Sequence, residues 1–64
     1  MKLEEVKRNL NKIVVLNGKN DIYKSTACII RKDKDGEFYY QAELLDTKHG
    51  NSLSYCKLED ITEE

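Results

Sequence analysis

Tyr23-Lys24-Ser25-Thr26-Ala27-Cys28-Ile29-Ile30-Arg31-Lys32, then Asp33-Lys34-Asp35-Gly36, then Glu37-Phe38-Tyr39-Tyr40-Gln41-Ala42-Glu43-Leu44-Leu45, is the stretch that decides the fold. Its last third alternates: Phe38, Tyr40, Ala42 and Leu44 share one face of an extended chain, and Tyr39, Gln41 and Glu43 take the other. In its first third, Ala27 and Ile29 fall on one face and Cys28 and Ile30 on the other. Both faces there are partly apolar, as suits a strand covered on two sides. The charged cluster that ends in Gly36 joins the two runs as a tight hairpin turn.

Working outward from this hairpin, a turn at 46–51 containing Gly50 leads to Ser52-Leu53-Ser54-Tyr55-Cys56, where apolar and small polar residues alternate as in a strand. Upstream, Ile13-Val14-Val15-Leu16 is a short β-branched run stopped by Asn17-Gly18, with Lys19-Asn20-Asp21 as loop. Leu3, Val6, Leu10 and Ile13 lie on one helical stripe, with Glu4 and Glu5 early and Lys7, Arg8 and Lys12 late, as the helix dipole favours. A helix is expected over 2–11, docked through Leu3, Val6 and Leu10, with Asn9 and Asn11 weakening its end. Leu58 and Ile61 stand three apart, the spacing of one 3₁₀ turn, before an acidic tail at 63–64. The expected core is Phe38, Tyr40, Ala42 and Leu44 with Ile29, Leu53 and Ile61.

Sixty-four residues make one domain, 1–64, which buries only about 60% of its unfolded surface. Hydrophobic residues are 39% and charged residues 36%, but the net charge of −1 and the clustering of apolar residues argue against disorder. No apolar run approaches the roughly 20 residues of a membrane span, and acidic residues follow Met1-Lys2-Leu3 where a signal peptide needs a positive region. The expected location is therefore cytoplasmic, with no membrane partner. Cys28 and Cys56 are too few for a disulfide scaffold or a four-ligand zinc site and are expected to be reduced, half-buried and dispensable. Charge is unevenly spread: residues 1–35 carry nine Lys/Arg against five Asp/Glu, and residues 36–64 carry two Lys against seven Asp/Glu. If the two halves interleave in space, that asymmetry averages out.

A short strand, a loop, three strands joined by tight hairpins and a one-turn 3₁₀ element resemble the plan of the SH3-like small barrel, shared by Tudor and KOW-type modules. Ala42-Glu43-Leu44-Leu45-Asp46, a glycine turn and Ser54-Tyr55-Cys56-Lys57-Leu58-Glu59-Asp60-Ile61 look like the closing half of such modules. The resemblance covers residues 12–62 and implies a mostly β chain: a short N-terminal α-helix, then a four- to five-stranded antiparallel SH3-like barrel. The plan alone does not supply a function, and the chain has no Trp for a proline groove. Only Arg31-Lys32-Asp33-Lys34 approaches the basic loop of a KOW module.

Asp33-Lys34-Asp35-Gly36-Glu37 superficially resembles a calcium loop, yet counting from Asp33 the required Gly and Glu positions hold Phe38 and Leu44. His49 could pair with a cysteine as base and nucleophile, but it adjoins Gly50 in an expected surface turn. With no phosphate loop and no catalytic motif, the expectation is a non-enzymatic module needing no cofactor and no metal. Tyr39, Gln41 and Glu43 form a strand face that either anchors a protein partner or lies under the helix. Tyr23, Lys24, Arg31, Lys32, Lys34 and Tyr39 form a candidate patch for single-stranded nucleic acid, set against Asp21, Asp33, Asp35 and a pI of 5.8. The leading expectation is a protein-interaction module, an accessory or inhibitory factor of a bacterial phage or other mobile element. That setting rests on small size and a Lys/Asn/Ile-rich composition. The alternative is a nucleic-acid-binding domain of KOW type. Homo-oligomerisation is left open.

Overall fold

A computed structural model describes residues 1–18 and 21–64, so the expected loop positions Lys19 and Asn20 lie outside the described residues. The chain runs α1 (Leu3–Arg8), β1 (Ile13–Leu16), β2 (Asp21–Lys32), β3 (Phe38–Asp46), β4 (Ser52–Lys57), a 3₁₀ turn (Leu58–Asp60) and β5 (Ile61–Glu63). It is mostly β, with a short N-terminal helix and five antiparallel strands in one sheet of order β4-β3-β2-β1-β5. The sheet does not close into the expected barrel: β4 and β5 end it as edges. Glu63, expected in the tail, pairs with Val14 instead.

α1 is shorter than the hydrophobic spacing predicts. Glu5 Oε1 accepts from the Lys2 N–H at 3.0 Å and starts the helix. Asn9 ends it, donating from Nδ2 to the Glu5 carbonyl at 2.7 Å and to Glu63 Oε1 at 3.0 Å, which ties the helix end to β5. Asn11 then takes a left-handed φ of 66° that asparagine tolerates and turns the chain into β1. Leu10 therefore falls past the helix, on the surface, and does not dock it. Val6 is fully buried and Leu3 half-buried, so the docking runs through Val6.

Val6, Val14, Tyr23, Ala42, Leu44 and Ile61 form the core, with Met1, Leu16, Cys28, Cys56 and Leu58 packed around it. Ala42, Leu44 and Ile61 are where the alternation places them. Phe38, Tyr40 and Leu53 are not: all three are exposed. Phe38 and Tyr40 share the inner face with Ala42 and Leu44, but lie beyond the reach of the cover. Six helical residues span about 9 Å, whereas the twelve of β2 extend about 40 Å, in keeping with a longest dimension of 37 Å. Leu53 pairs with Leu45, and Ile29 with Gln41, which puts both on the outer face.

A bulge explains Ile29. Ser25 opposes Leu44 and Ala27 opposes Glu43, leaving Thr26 unmatched. Tyr23 and Ser25 therefore face inward with Cys28, an odd spacing that simple alternation cannot produce. Thr26 uses its freedom to donate from Oγ1 to Glu43 Oε1 at 2.8 Å. Beside it the Ser25 hydroxyl is fully buried without a partner among the described residues. Such a group costs about 1–3 kcal/mol, so Ser25→Ala is expected to leave the melting temperature unchanged or raise it. Each kcal/mol is worth about 4–8 °C in a domain of this size. A fall of more than about 5 °C in a thermal melt would show that the hydroxyl has a partner.

Cys28 and Cys56 are both free and half-buried. They flank Ala42 on the strands either side of it, so two inter-strand spacings, about 9–10 Å, separate them. That exceeds the reach of a disulfide.

Candidate functional site

Five of the seven candidate residues meet at the far end of the β2–β3 hairpin. Arg31 pairs with Tyr39, and Ile29 with Gln41, so Arg31, Tyr39 and Gln41 share the outer face, where Arg31 Nε donates to Gln41 Oε1. Lys32 pairs with Phe38 on the inner face and holds its ammonium 5.6 Å from the ring centroid. Lys34 sits in the turn between them. The turn is fixed by Asp33, whose Oδ1 accepts from the N–H groups of Asp35 and Glu37, each at 2.9 Å. Gly36 supplies the φ of 85° that the turn demands.

The other two candidates are elsewhere. Tyr23 is in the core, where burial, with Asp21 and Asp46 nearby, pushes its phenol above the ordinary range. Its inward direction follows from pairing with Val14, so it contributes packing and not a binding surface. Lys24 is half-buried opposite Leu45 and Ile13, at the base of the hairpin and away from the other cations.

The hairpin end holds Phe38 and Tyr40, which alternation alone assigns to the core, beside Ile30 and Tyr39. Ile30 is 63% exposed and Phe38 66%, and Tyr39 and Tyr40 are exposed with them. Ile30 pairs with Tyr40, so Ile30, Tyr40, Phe38 and Lys32 form a shelf that continues the core face past the helix. Beside it lies an open cleft of about 520 Å³, lined by Met1, Leu58, Tyr39, Tyr40, Lys57, Glu59 and Asp33. The outer face is not under the helix, because Val6 packs with Ala42 and Leu44 on the inner side. It is ordered by Glu43, which accepts from Thr26 Oγ1 and, through Oε2 at 3.2 Å, from the Tyr55 hydroxyl. That bond keeps the Tyr55 phenol protonated to higher pH than usual.

Comparison of the chain with protein families, with curated proteins and with solved structures finds no match. What the site does must be read from its chemistry.

A histidine acting as a base needs a group to orient it. The turn supplies one: Asp46 Oδ2 lies 2.7 Å from His49 Nδ1, and its Oδ1 accepts from the N–H of Lys48 at 3.0 Å and of His49 at 3.2 Å. An Asp followed three residues later by His was the available signal. With His49 turned outward, the pair closes a turn beside a small pocket of about 110 Å³ that includes Asp21 and Lys48. Neither cysteine lines it, and burial together with Asp60 pushes the Cys56 thiol up, keeping it protonated at neutral pH.

The His49 side-chain bond, despite an opposing effect of burial, holds the Asp46 carboxyl below its ordinary value, aided by the Lys48 and His49 N–H groups. A depressed carboxyl stabilises the fold above its unfolded pKa of about 3.9, and that contribution is lost as pH falls from there through the folded pKa. In a carboxyl-carbon NMR titration Asp46 is expected to titrate below about 3.9, and His49→Ala should raise its midpoint. An unchanged midpoint would remove His49 as the cause.

Proposed function

We propose that this chain is a non-enzymatic protein-binding module that engages its partner with the uncovered shelf at the end of the β2–β3 hairpin. The observation that carries the reading is the exposure of Ile30, Phe38 and Tyr40 together on one face of a hairpin whose turn is held by Asp33, with Tyr39 exposed on the other face. Large apolar side chains grouped at one end of a small protein are the material of interface anchors. The shelf prolongs the core face, so a partner side chain laid on it would be buried against Tyr40 and Leu58 as if completing the core. The SH3-like plan belongs to the same proposal, supported by the strand order and the 3₁₀ turn between β4 and β5. So does a cytoplasmic setting, supported by the two free cysteines. The mobile-element setting keeps only the support of size and composition.

A nucleic-acid reading has one observation in its favour: Arg31, Lys32 and Lys34 stand beside three aromatic rings, the components of a stacking platform. Charge weighs against it. Segment 31–37 carries three cations, Arg31, Lys32 and Lys34, against three anions, Asp33, Asp35 and Glu37, which leaves no net attraction for phosphate. Lys32 is already over Phe38 and Arg31 already on Gln41.

The test is site-specific photocrosslinking in the native host, with a photoreactive residue at Phe38 and, separately, at Lys7 on the helix. A discrete protein adduct from position 38 and none from position 7 supports the reading. In parallel, fluorescence anisotropy with random single-stranded DNA and RNA is expected to show no binding at low salt. An anisotropy rise that salt abolishes, with no adduct at 38, would overturn the proposal in favour of nucleic acid.

A further inference from the structure

The two edges of the sheet are defended unequally. β5 is three residues long and carries Glu63, the short, charged form that discourages strand addition. β4 is six residues long, and from Ser52 to Cys56 it carries no charge, no proline and no bulge. Its outward side chains are large and uncovered: Leu53 is 51% exposed and Tyr55 49%. Among the described residues nothing pairs with its free side.

We propose that the β4 edge is a self-association site, at which two copies of this chain pair β4 against β4 in antiparallel fashion around Ser54. The commitment to a second copy rests on the self-complementarity of the strand. Antiparallel pairing about a two-fold axis at Ser54 sets Leu53 opposite Tyr55 of the second copy, and Tyr55 opposite its Leu53. Those are aliphatic–aromatic pairs of the kind that stabilise a sheet. Ser52 then meets Cys56, and Lys57 meets Asn51, so no two like charges face each other. On the outer face, Leu53 already lies beside half-buried Leu45 of β3, so the new pairs extend an apolar strip.

The symmetry also explains why the partner is one copy and not many. β4 on β4 is isologous and closes at two, whereas β4 on β5 would propagate, and β5 is too short to support it. One strand pair with four apolar side chains falls at the small end of interface sizes. The dimer is therefore weak, with a dissociation constant of roughly 10 µM to 1 mM. This surface is distinct from the hairpin shelf, and either could fail without the other.

The test is sedimentation equilibrium across that concentration range, with circular dichroism to confirm that each variant is folded. The wild type is expected to pass from 7.5 kDa toward twice that mass. Leu53→Lys/Tyr55→Lys, which sets lysine against lysine, should weaken association at least about tenfold. Leu53→Glu/Tyr55→Lys carries the same lysine beside Glu43, but sets Glu against Lys across the axis. It should retain the dimer and lose it on raising salt. A second readout does not depend on these variants folding: Ser54→Cys, made with Cys28→Ala and Cys56→Ala, should form a disulfide-linked dimer under mild oxidation. Thr62→Cys on the other edge should not. A wild type that stays monomeric throughout, equal behaviour of the two charge variants, or crosslinking at 62 but not at 54 would overturn the proposal.

Discussion

Leu44→Ala is expected to destabilise the protein by about 2–5 kcal/mol, among the largest effects of any truncation in the sheet. Leu44 is fully buried and, with Ile61, is among the bulkiest side chains in that state, with Ser25 and Ser54 as its strand neighbours. Small neighbours cannot move in to fill the space, so the cavity persists and the loss lies in the upper half of that range. Whole domains of this size possess about 5–15 kcal/mol or less. Denaturant unfolding of Leu44→Ala beside Phe38→Ala makes the comparison sharp: Phe38 shares the face but is exposed, and its truncation should cost under about 1 kcal/mol. A cost below about 0.5 kcal/mol at Leu44 would mean the inner face had been misassigned.

Val6→Asp should unfold the protein or detach α1, whereas Leu10→Asp should be nearly silent. Val6 is fully buried in a core with Val14, Tyr23 and Ile61, and a carboxylate there is cut off from water. The penalty exceeds about 3 kcal/mol even if the group takes up a proton to escape its charge. Leu10 lies beyond the helix and is partly open to solvent. Amide exchange on the two variants reads the difference: Leu10→Asp should retain protection over Val6 to Asn9. If both variants lost it equally, the helix would be docked along the longer stripe that sequence spacing suggests.

That contrast shows which parts of the fold are legible in the sequence. The turn at Asp33–Gly36 is written in residue chemistry, an Asx acceptor and a glycine at positive φ, and the structure uses both. The alternation from Phe38 to Leu44 correctly assigns faces, because the period of a strand is geometric. Whether a face is covered depends on a second element, and the short reach of α1 is set by Asn9 and Asn11 acting as a stop. Local pattern could see that they weakened the helix, but not that Asn9 would be recruited by Glu63, 54 residues away. The bulge at Thr26 was equally hidden, since it shows only as a misfit between β2 and β3. It moved Ile29 outward and drew Tyr23 inward, removing one residue from the candidate site. Arg31, Lys32, Lys34, Tyr39 and Gln41 lie close together because all five belong to one hairpin, where neighbours in sequence stay neighbours in space.

The pairing of β1 with β5 sets the order in which the chain can assemble. The central hairpin closes through a turn of a few residues, a step of microseconds, but Leu16 must wait for Ile61 and Val14 for Glu63. The β2–β3–β4 meander can therefore form from local pairings, yet the core stays open until β5 adds its strand to β1. Until then Val6, Val14 and Leu44 lack the wall that Ile61 supplies, and a partly folded chain leaves that apolar surface open to other molecules.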